Sequence, residues 1–207
     1  MRLPKPATPV SGSLVAAIAA RRTVREFADR PVSLDHAGQL LWAGQGLTGG
    51  SDGRAAPSAG ARHPLSLTLV AGAVAGLAPG AYGYHLRDHR VALNLAGDLR
   101  EALAEAAIGP QPWLVRAALT ILIAGDEDGM RRHFADQPPE GVRGTRYLYL
   151  EAGHAAQNIY LQATVLELGA VLVAGFDDDA VAALSATPQG HAPLGLLAVG
   201  HPGSVPA

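Results

Sequence analysis

Residues 81–95 read Ala81-Tyr82-Gly83-Tyr84-His85-Leu86-Arg87-Asp88-His89-Arg90-Val91-Ala92-Leu93-Asn94-Leu95. Two strand-favouring runs, 81–86 and 91–95, flank the polar turn Arg87-Asp88-His89-Arg90, which is the pattern of an antiparallel hairpin. Such a hairpin in mid-chain breaks the strict strand-helix-strand rhythm of a doubly wound parallel sheet. The fold class read from it is α+β.

Working towards the N-terminus, Leu65 to Val70 alternates as a half-buried strand does. Residues 44–64 are rich in Gly, Ser and Ala and read as a structureless loop, a length that usually carries function. Ser33 is placed to cap a helix running through about Ala43, with Leu34, Ala37, Leu40 and Leu41 on one face. Leu14 to Arg21 favours helix. Residues 1–12, rich in Pro, Ser and Thr, read as a flexible N-terminal arm or a docking arm, and 13–207 as a single domain.

Towards the C-terminus the pattern predicts a helix from Asp98 to about Ala107 and an interior strand over the continuous apolar run Leu119 to Ala124. A polar, Pro-rich segment follows from 125 to 144. Thr145 is expected to cap the longest helix, reaching about Gly169, with apolar surface on more than one side and so buried in a core or between subunits. Ala170 to Val173 reads as strand, Asp177 to Leu184 as helix, and Leu194 to Val199 as a last strand.

Composition prunes the chemistry. The 207 residues carry a net charge of −2, which gives no reason to expect nucleic acid or an anionic membrane as partner. The absence of cysteine excludes disulfides, thiolate catalysis and cysteine-ligated metal. The only lysine is Lys5, among Pro4, Pro6 and Pro9, so a buried Schiff-base lysine is not expected. The apolar stretch 147–175 is interrupted by Glu151, His154, Gln157, Asn158, Gln162 and Glu167, and the start of the chain lacks the apolar core of a signal peptide. A cytoplasmic protein is the expectation.

Against that scarcity of lysine stands Arg21-Arg22-Thr23-Val24-Arg25, three guanidiniums in five residues. Read alone, it is a helix end whose cations offset the dipole. Its sharper reading is a site for a phosphate and for a planar heterocycle that becomes anionic, both matched by forked, permanently charged donors. Other candidates are weaker. Gly44-Gln45-Gly46-Leu47-Thr48-Gly49 has the spelling of a dinucleotide fingerprint, but a helix precedes it where a strand is needed. His85 and His89 flank a turn and do not converge as metal ligands would; His154 reads as a core or interface histidine, and His63 and His201 lie near glycine-rich segments. Asp177-Asp178-Asp179 is explained by a helix N-terminus, and no metal site is expected. Pro57-Ser58-Ala59-Gly60 would let backbone approach a ligand closely, and Val173-Ala174-Gly175-Phe176-Asp177 joins a strand to a helix with its N–H groups free.

Taken in order, Arg-Arg-Thr-Val-Arg, Leu-Leu-Trp-Ala-Gly-Gln-Gly at 40–46, Pro-Ser-Ala-Gly at 57–60, Glu-Ala-Gly-His-Ala-Ala-Gln-Asn at 151–158 and the later Ala-Gly-Phe-Asp resemble the nitroreductase family of flavin enzymes. The resemblance runs from about Arg21 to Pro202 and is greatest to the SagB-type dehydrogenase branch. It implies a central mixed, mostly antiparallel sheet flanked by helices, and an intertwined homodimer with FMN at its interface. Arg21, Arg22 and Thr23 would contact the phosphate and ribityl chain, and Arg25 the pyrimidine edge of the ring. Pro57, Ser58, Ala59 and Gly60 would contact FMN, from the partner subunit, and Ala174 and Gly175 would present backbone N–H near N5 and O4. NAD(P)H would be the co-substrate in a ping-pong transfer of hydride to a nitroaromatic, quinone or similar small-molecule acceptor, under a lid formed by 125–144 with Trp113 at its edge.

Two departures from the family pattern qualify these roles. The Lys or Arg that many relatives place on the phosphate near the C-terminus has no counterpart in 200–207, which shifts that task to Arg21 and Arg22, helped by Arg62 or His201. The Lys-Tyr pair of azoline-oxidising SagB enzymes falls on Pro139 and Glu140, which disfavours peptide azoline oxidation. The alternatives are that SagB-type peptide dehydrogenase and a flavin-binding protein without turnover.

Overall fold

The computed structural model describes residues 1–7, 12–49 and 53–203. Its centre is a six-stranded sheet of β3 (Leu65–Ala71), β4 (Gly80–His85), β5 (Arg90–Ala96), β6 (Leu119–Gly125), β7 (Gly169–Val173) and β8 (Ala192–Gly200). The order across it is β5-β4-β3-β6-β8-β7, every neighbouring pair antiparallel. The 81–95 hairpin is the β4–β5 edge of this sheet, paired from Gly80–Ala96 to His85–Arg90. α+β architecture follows from it as expected.

Both faces of the sheet are covered. One packs against α2 (Leu34–Gln45) and α6 (Arg143–Val165), burying Leu40, Leu41, Leu148 and Ile159 against Leu69 and Ile121. The other packs against α3 (Arg100–Ala106), α4 (Trp113–Arg116) and α7 (Asp178–Ser185), burying Leu103, Leu114 and Val181 against Leu122 and Leu196. Every residue of β6 is therefore buried, which explains a continuous apolar run in an antiparallel strand. Among the described residues no helix is long and apolar enough to cross a membrane.

Helix caps behave as their sequences suggest at three sites. Ser13 opens α1 (Leu14–Ala20), Ser33 opens α2, and Asp177 opens α7, each accepting from a backbone N–H three residues on. Thr145 does not cap α6: the helix begins at Arg143, and the Thr145 hydroxyl donates to Glu127 at 2.8 Å. Its partner belongs to α5 (Glu127–His133), which the 125–144 composition hid. The cues for α5 were present: Asp126 accepts from the Gly129 N–H at 2.7 Å, acids fill the first turn, and Arg131, Arg132 and His133 fill the last. Gly144 brings α5 and α6 into contact, since a Cβ there would collide with the Met130 backbone.

The 44–64 stretch is not structureless. Gly46 ends α2, and β1 (Leu47–Gly49) pairs with β2 (Gly53–Arg54); residues 50–52 lie outside the described set. Nor are residues 1–7 loose. The Met1 ammonium donates to the Val91 carbonyl at 2.6 Å, Leu3 N–H to the His89 carbonyl at 3.0 Å, and Ala7 N–H to Gln39 at 2.9 Å. Leu3 is buried, so apolar burial and backbone pairing dock this part of the expected flexible arm; residues 8–11 are outside the described set. His89, beside the hairpin turn, is half-buried against Tyr84, whose hydroxyl lies 2.9 Å from its Nδ1. Burial pushes that phenol up to about 12 and the imidazole down.

Candidate functional site

The arginine run lies along the outer edge of β7. Val24 donates its N–H to the Ala170 carbonyl at 3.0 Å, and Thr23 forms a parallel bridge with Ala170. Gly169 permits this close approach, because a Cβ there would sit 2.6 Å from that of Val24. On the same edge the Tyr160 hydroxyl accepts the Leu172 N–H at 2.6 Å. Ala174 and Gly175 follow directly on β7, and neither of their N–H groups meets an acceptor among the described residues. The Gly175 carbonyl is occupied, accepting from the Ile108 N–H at 2.9 Å.

The three arginines divide their roles. Arg22 Nη1 donates to the Ala19 and Arg21 carbonyls, each at 2.8 Å, closing the end of α1; the helix-end reading is realised by this residue. Arg21 lies over the Tyr160 ring, 5.6 Å from its centroid, and Arg25 over Trp113 at 5.4 Å. An aromatic face steadies a guanidinium while leaving its N–H rim open to an anion. None of the three meets a carboxylate among the described residues.

The 57–63 loop is organised the opposite way. Glu151 of α6 is only 4% exposed, and its Oε1 accepts the Ala59 N–H at 2.7 Å and the Ser58 hydroxyl at 3.0 Å. Ser58 Oγ in turn accepts the His63 N–H at 2.7 Å. The Ser58 proton is thus committed inside the protein, and what the loop offers a ligand is chiefly backbone and small side chains. Burial raises the Glu151 carboxyl above its ordinary range, opposed by the two donated hydrogen bonds and by nearby His154. A cleft of about 240 Å³ opens here between Pro57, Ala59, Tyr147, Leu150 and His154.

Arg21, Arg22, Thr23 and Arg25 therefore lie along the outer edge of β7, with Ala174 and Gly175 following its last residue and Trp113 under Arg25. Pro57, Ser58, Ala59 and Gly60 are gathered elsewhere. Their anchors on α6, Tyr160 and Glu151, are nine residues apart in sequence, roughly 13 Å along the axis. The expected lid divides in the same way. Phe134 lies under the loop, its Cζ 3.3 Å from where a Gly60 Cβ would be, and stacks edge-on with Tyr147, whereas Trp113 belongs to the arginine group. Burial, with Arg30 nearby, lowers the His201 imidazole below its ordinary value.

The profile of the Nitroreductase family matches residues 18–201. The chain belongs to the nitroreductase family. "Putative nitroreductase MJ1384" of Methanocaldococcus jannaschii is 35% identical over 161 residues, 78% of each chain. A Ralstonia eutropha nitroreductase-type crystal structure superposes with a TM-score of 0.82 at 24% identity, covering 99% of this chain and 90% of its own. The NADPH:FMN oxidoreductase of Vibrio harveyi, solved with NAD+, has a TM-score of 0.65 at 22% identity, covering 93% and 70%. These two likenesses concern the fold.

Membership makes the chain a flavin-dependent oxidoreductase, and its residues fit such a cofactor: cations without a carboxylate partner suit a phosphate, and N–H donors without an acceptor suit carbonyl and imine acceptors of a ring. Three contributors went unassigned by sequence reasoning, and a fourth, Trp113, was expected at a lid edge. Tyr160 and Trp113 act as platforms for arginines far away in sequence, and Ile108 contributes by backbone pairing with Gly175. Glu151 did leave a signal, because it is a carboxylate on the buried stripe of Leu148, Ala155 and Ile159.

Proposed function

We propose that this nitroreductase-family protein is an FMN-dependent NAD(P)H oxidoreductase, acting by a ping-pong sequence on a nitroaromatic, quinone or similar electron-poor acceptor. The observation that carries the reading is the β7 edge, where two guanidiniums without a carboxylate partner lie beside two N–H groups that meet no acceptor among the described residues. Bound FMN supplies the redox chemistry, receiving hydride from NAD(P)H and giving it to the acceptor. Arg21, Thr23 and the remaining N–H groups of Arg22 hold the phosphate and ribityl chain. Arg25, steadied by Trp113, places a fixed cation at the pyrimidine edge and favours the charge that reduction brings there. The Ala174 and Gly175 N–H groups orient the ring from the opposite side.

The cleft beside the 57–63 loop, about 240 Å³, falls below the ~300–1,000 Å³ of ordinary ligand pockets. Large apolar side chains nearby are open to solvent, Tyr149 at 55% and Leu150 at 54% on α6, with Val15 and Ile18 on α1. A homodimer covers them and brings Pro57 to Gly60 of one copy to the arginine edge of the other. Steady-state oxidation of NADH or NADPH with a small quinone tests the activity. Parallel double-reciprocal lines are expected, and lines that intersect contradict the ping-pong sequence.

A further inference from the structure

We infer that Glu151 is a positioning residue, a buried latch that sets the backbone shape of the 57–63 loop; its link to cofactor binding rests on the reading above. One carboxylate oxygen governs both ends of the loop. Oε1 takes the Ala59 N–H and the Ser58 hydroxyl directly, and through Ser58 Oγ it also fixes the His63 N–H.

The loop needs such a latch. Its backbone is left-handed at Gly60 (φ 57°), Ala61 (φ 51°) and His63 (φ 51°). Glycine adopts that region freely, whereas the Cβ atoms of Ala61 and His63 make it unfavourable there. Inside the loop only two long backbone hydrogen bonds oppose this, Ala61 N–H to Ser58 and Arg62 N–H to Ala59, both 3.2 Å. The shape is therefore imposed from α6.

The choice of a carboxylate points the same way. Burying Glu151 without a guanidinium or ammonium partner is unfavourable for the fold by itself, and an apolar residue on that stripe would serve packing better. A carboxylate, however, is an acceptor with no proton of its own to place, and one oxygen takes two donors. That is what Ser58 and Ala59 require.

The test is amide hydrogen exchange at single residues in the full chain without added flavin, alongside FMN affinity from fluorescence titration. Glu151→Ala is expected to speed exchange at Ala59 and His63 by about tenfold or more, with the β6 amides unchanged, and to weaken FMN binding by a similar factor. Ser58→Ala is expected to speed His63 while Ala59 stays protected by Glu151. Glu151→Gln, which keeps an acceptor oxygen, is expected to restore most of the protection at Ala59. Wild-type exchange at Ala59 and His63 in Glu151→Ala overturns the latch, and so does a uniform rise that includes β6, since Glu151 would then serve only global stability. If the loop amides respond but the wild-type chain takes up no FMN, the latch stands and the cofactor reading falls.

Discussion

At the β7 edge the polar groups are unspent, while in the 57–63 loop they are consumed. Arg21 and Arg25 rest on aromatic faces with no carboxylate partner among the described residues, and the Ala174 and Gly175 N–H groups meet no acceptor among those residues. In the loop, the Ser58 hydroxyl and the Ala59 and His63 N–H groups are tied, directly or in relay, to one buried carboxylate. On the proposed reading the first region supplies charge to a ligand and the second supplies shape. Substitutions of the arginines in the first should therefore change ligand affinity and potential with little effect on folding. In the second they should change local order.

The largest expected effect is at the arginines. Losing one charge-assisted contact of about 1.5–3 kcal/mol should weaken FMN retention in Arg21→Ala by roughly 10–150-fold. The unfolding midpoint of the flavin-free protein should barely move. Arg25→Ala should instead act on the potential, lowering the two-electron midpoint of bound flavin by roughly 30–65 mV for the same energy. Equal effects of both variants on retention and potential would erase the division of labour between them.

Gly169→Ala tests whether backbone placement of the run matters as much as its charges. The new methyl would meet Val24 and push the run off β7, an overpacking cost of typically 1–3 kcal/mol. FMN affinity should fall although every arginine remains; unchanged affinity would show that the register with β7 is irrelevant. Tyr160→Phe is milder. It keeps the ring under Arg21 but removes the acceptor of the Leu172 N–H, so urea unfolding should report a loss of about 1 kcal/mol with FMN affinity nearly preserved.

The smallest effect is a pH slope. The folded-state pKa of Glu151 is raised, so the folded chain holds that proton more tightly than the unfolded one. The associated stability is fully present below the ordinary carboxylate range and is lost as pH rises through the raised value. His154 is the charged group facing it and opposes the shift. Glu151→Gln should remove this decline, so that the variant gains on the wild type between about pH 4 and neutrality. A constant difference across that range would mean that burial does not raise the Glu151 carboxyl.

The sequence disclosed the sheet better than the site. The 81–95 hairpin, the run 119–124 and the Ser33 cap depend on neighbours along the chain, and all three lie where local pattern put them. α5 was obscured because prolines and acids around 135–140 dominated the composition of a segment whose first half is a well-capped helix. In the site, Arg21, Arg25, Ala174 and Gly175 could be proposed from motif order. What holds them could not: Tyr160 and Trp113 come from other elements, and the Glu151 contact with Ser58 spans 93 residues. Long-range pairings of that kind leave no periodic trace in one sequence.

The central claim is that the arginine edge of β7 is a flavin-phosphate and flavin-ring site. The absorbance spectrum of the protein after incubation with FMN and desalting tests it directly, with Arg21→Ala treated in parallel. The wild-type chain should retain a stoichiometric yellow flavin that NADH or NADPH bleaches without oxygen, and the variant should lose most of its colour on the column. A wild-type chain that emerges colourless, or a variant that stays as yellow as the wild type, would contradict the account.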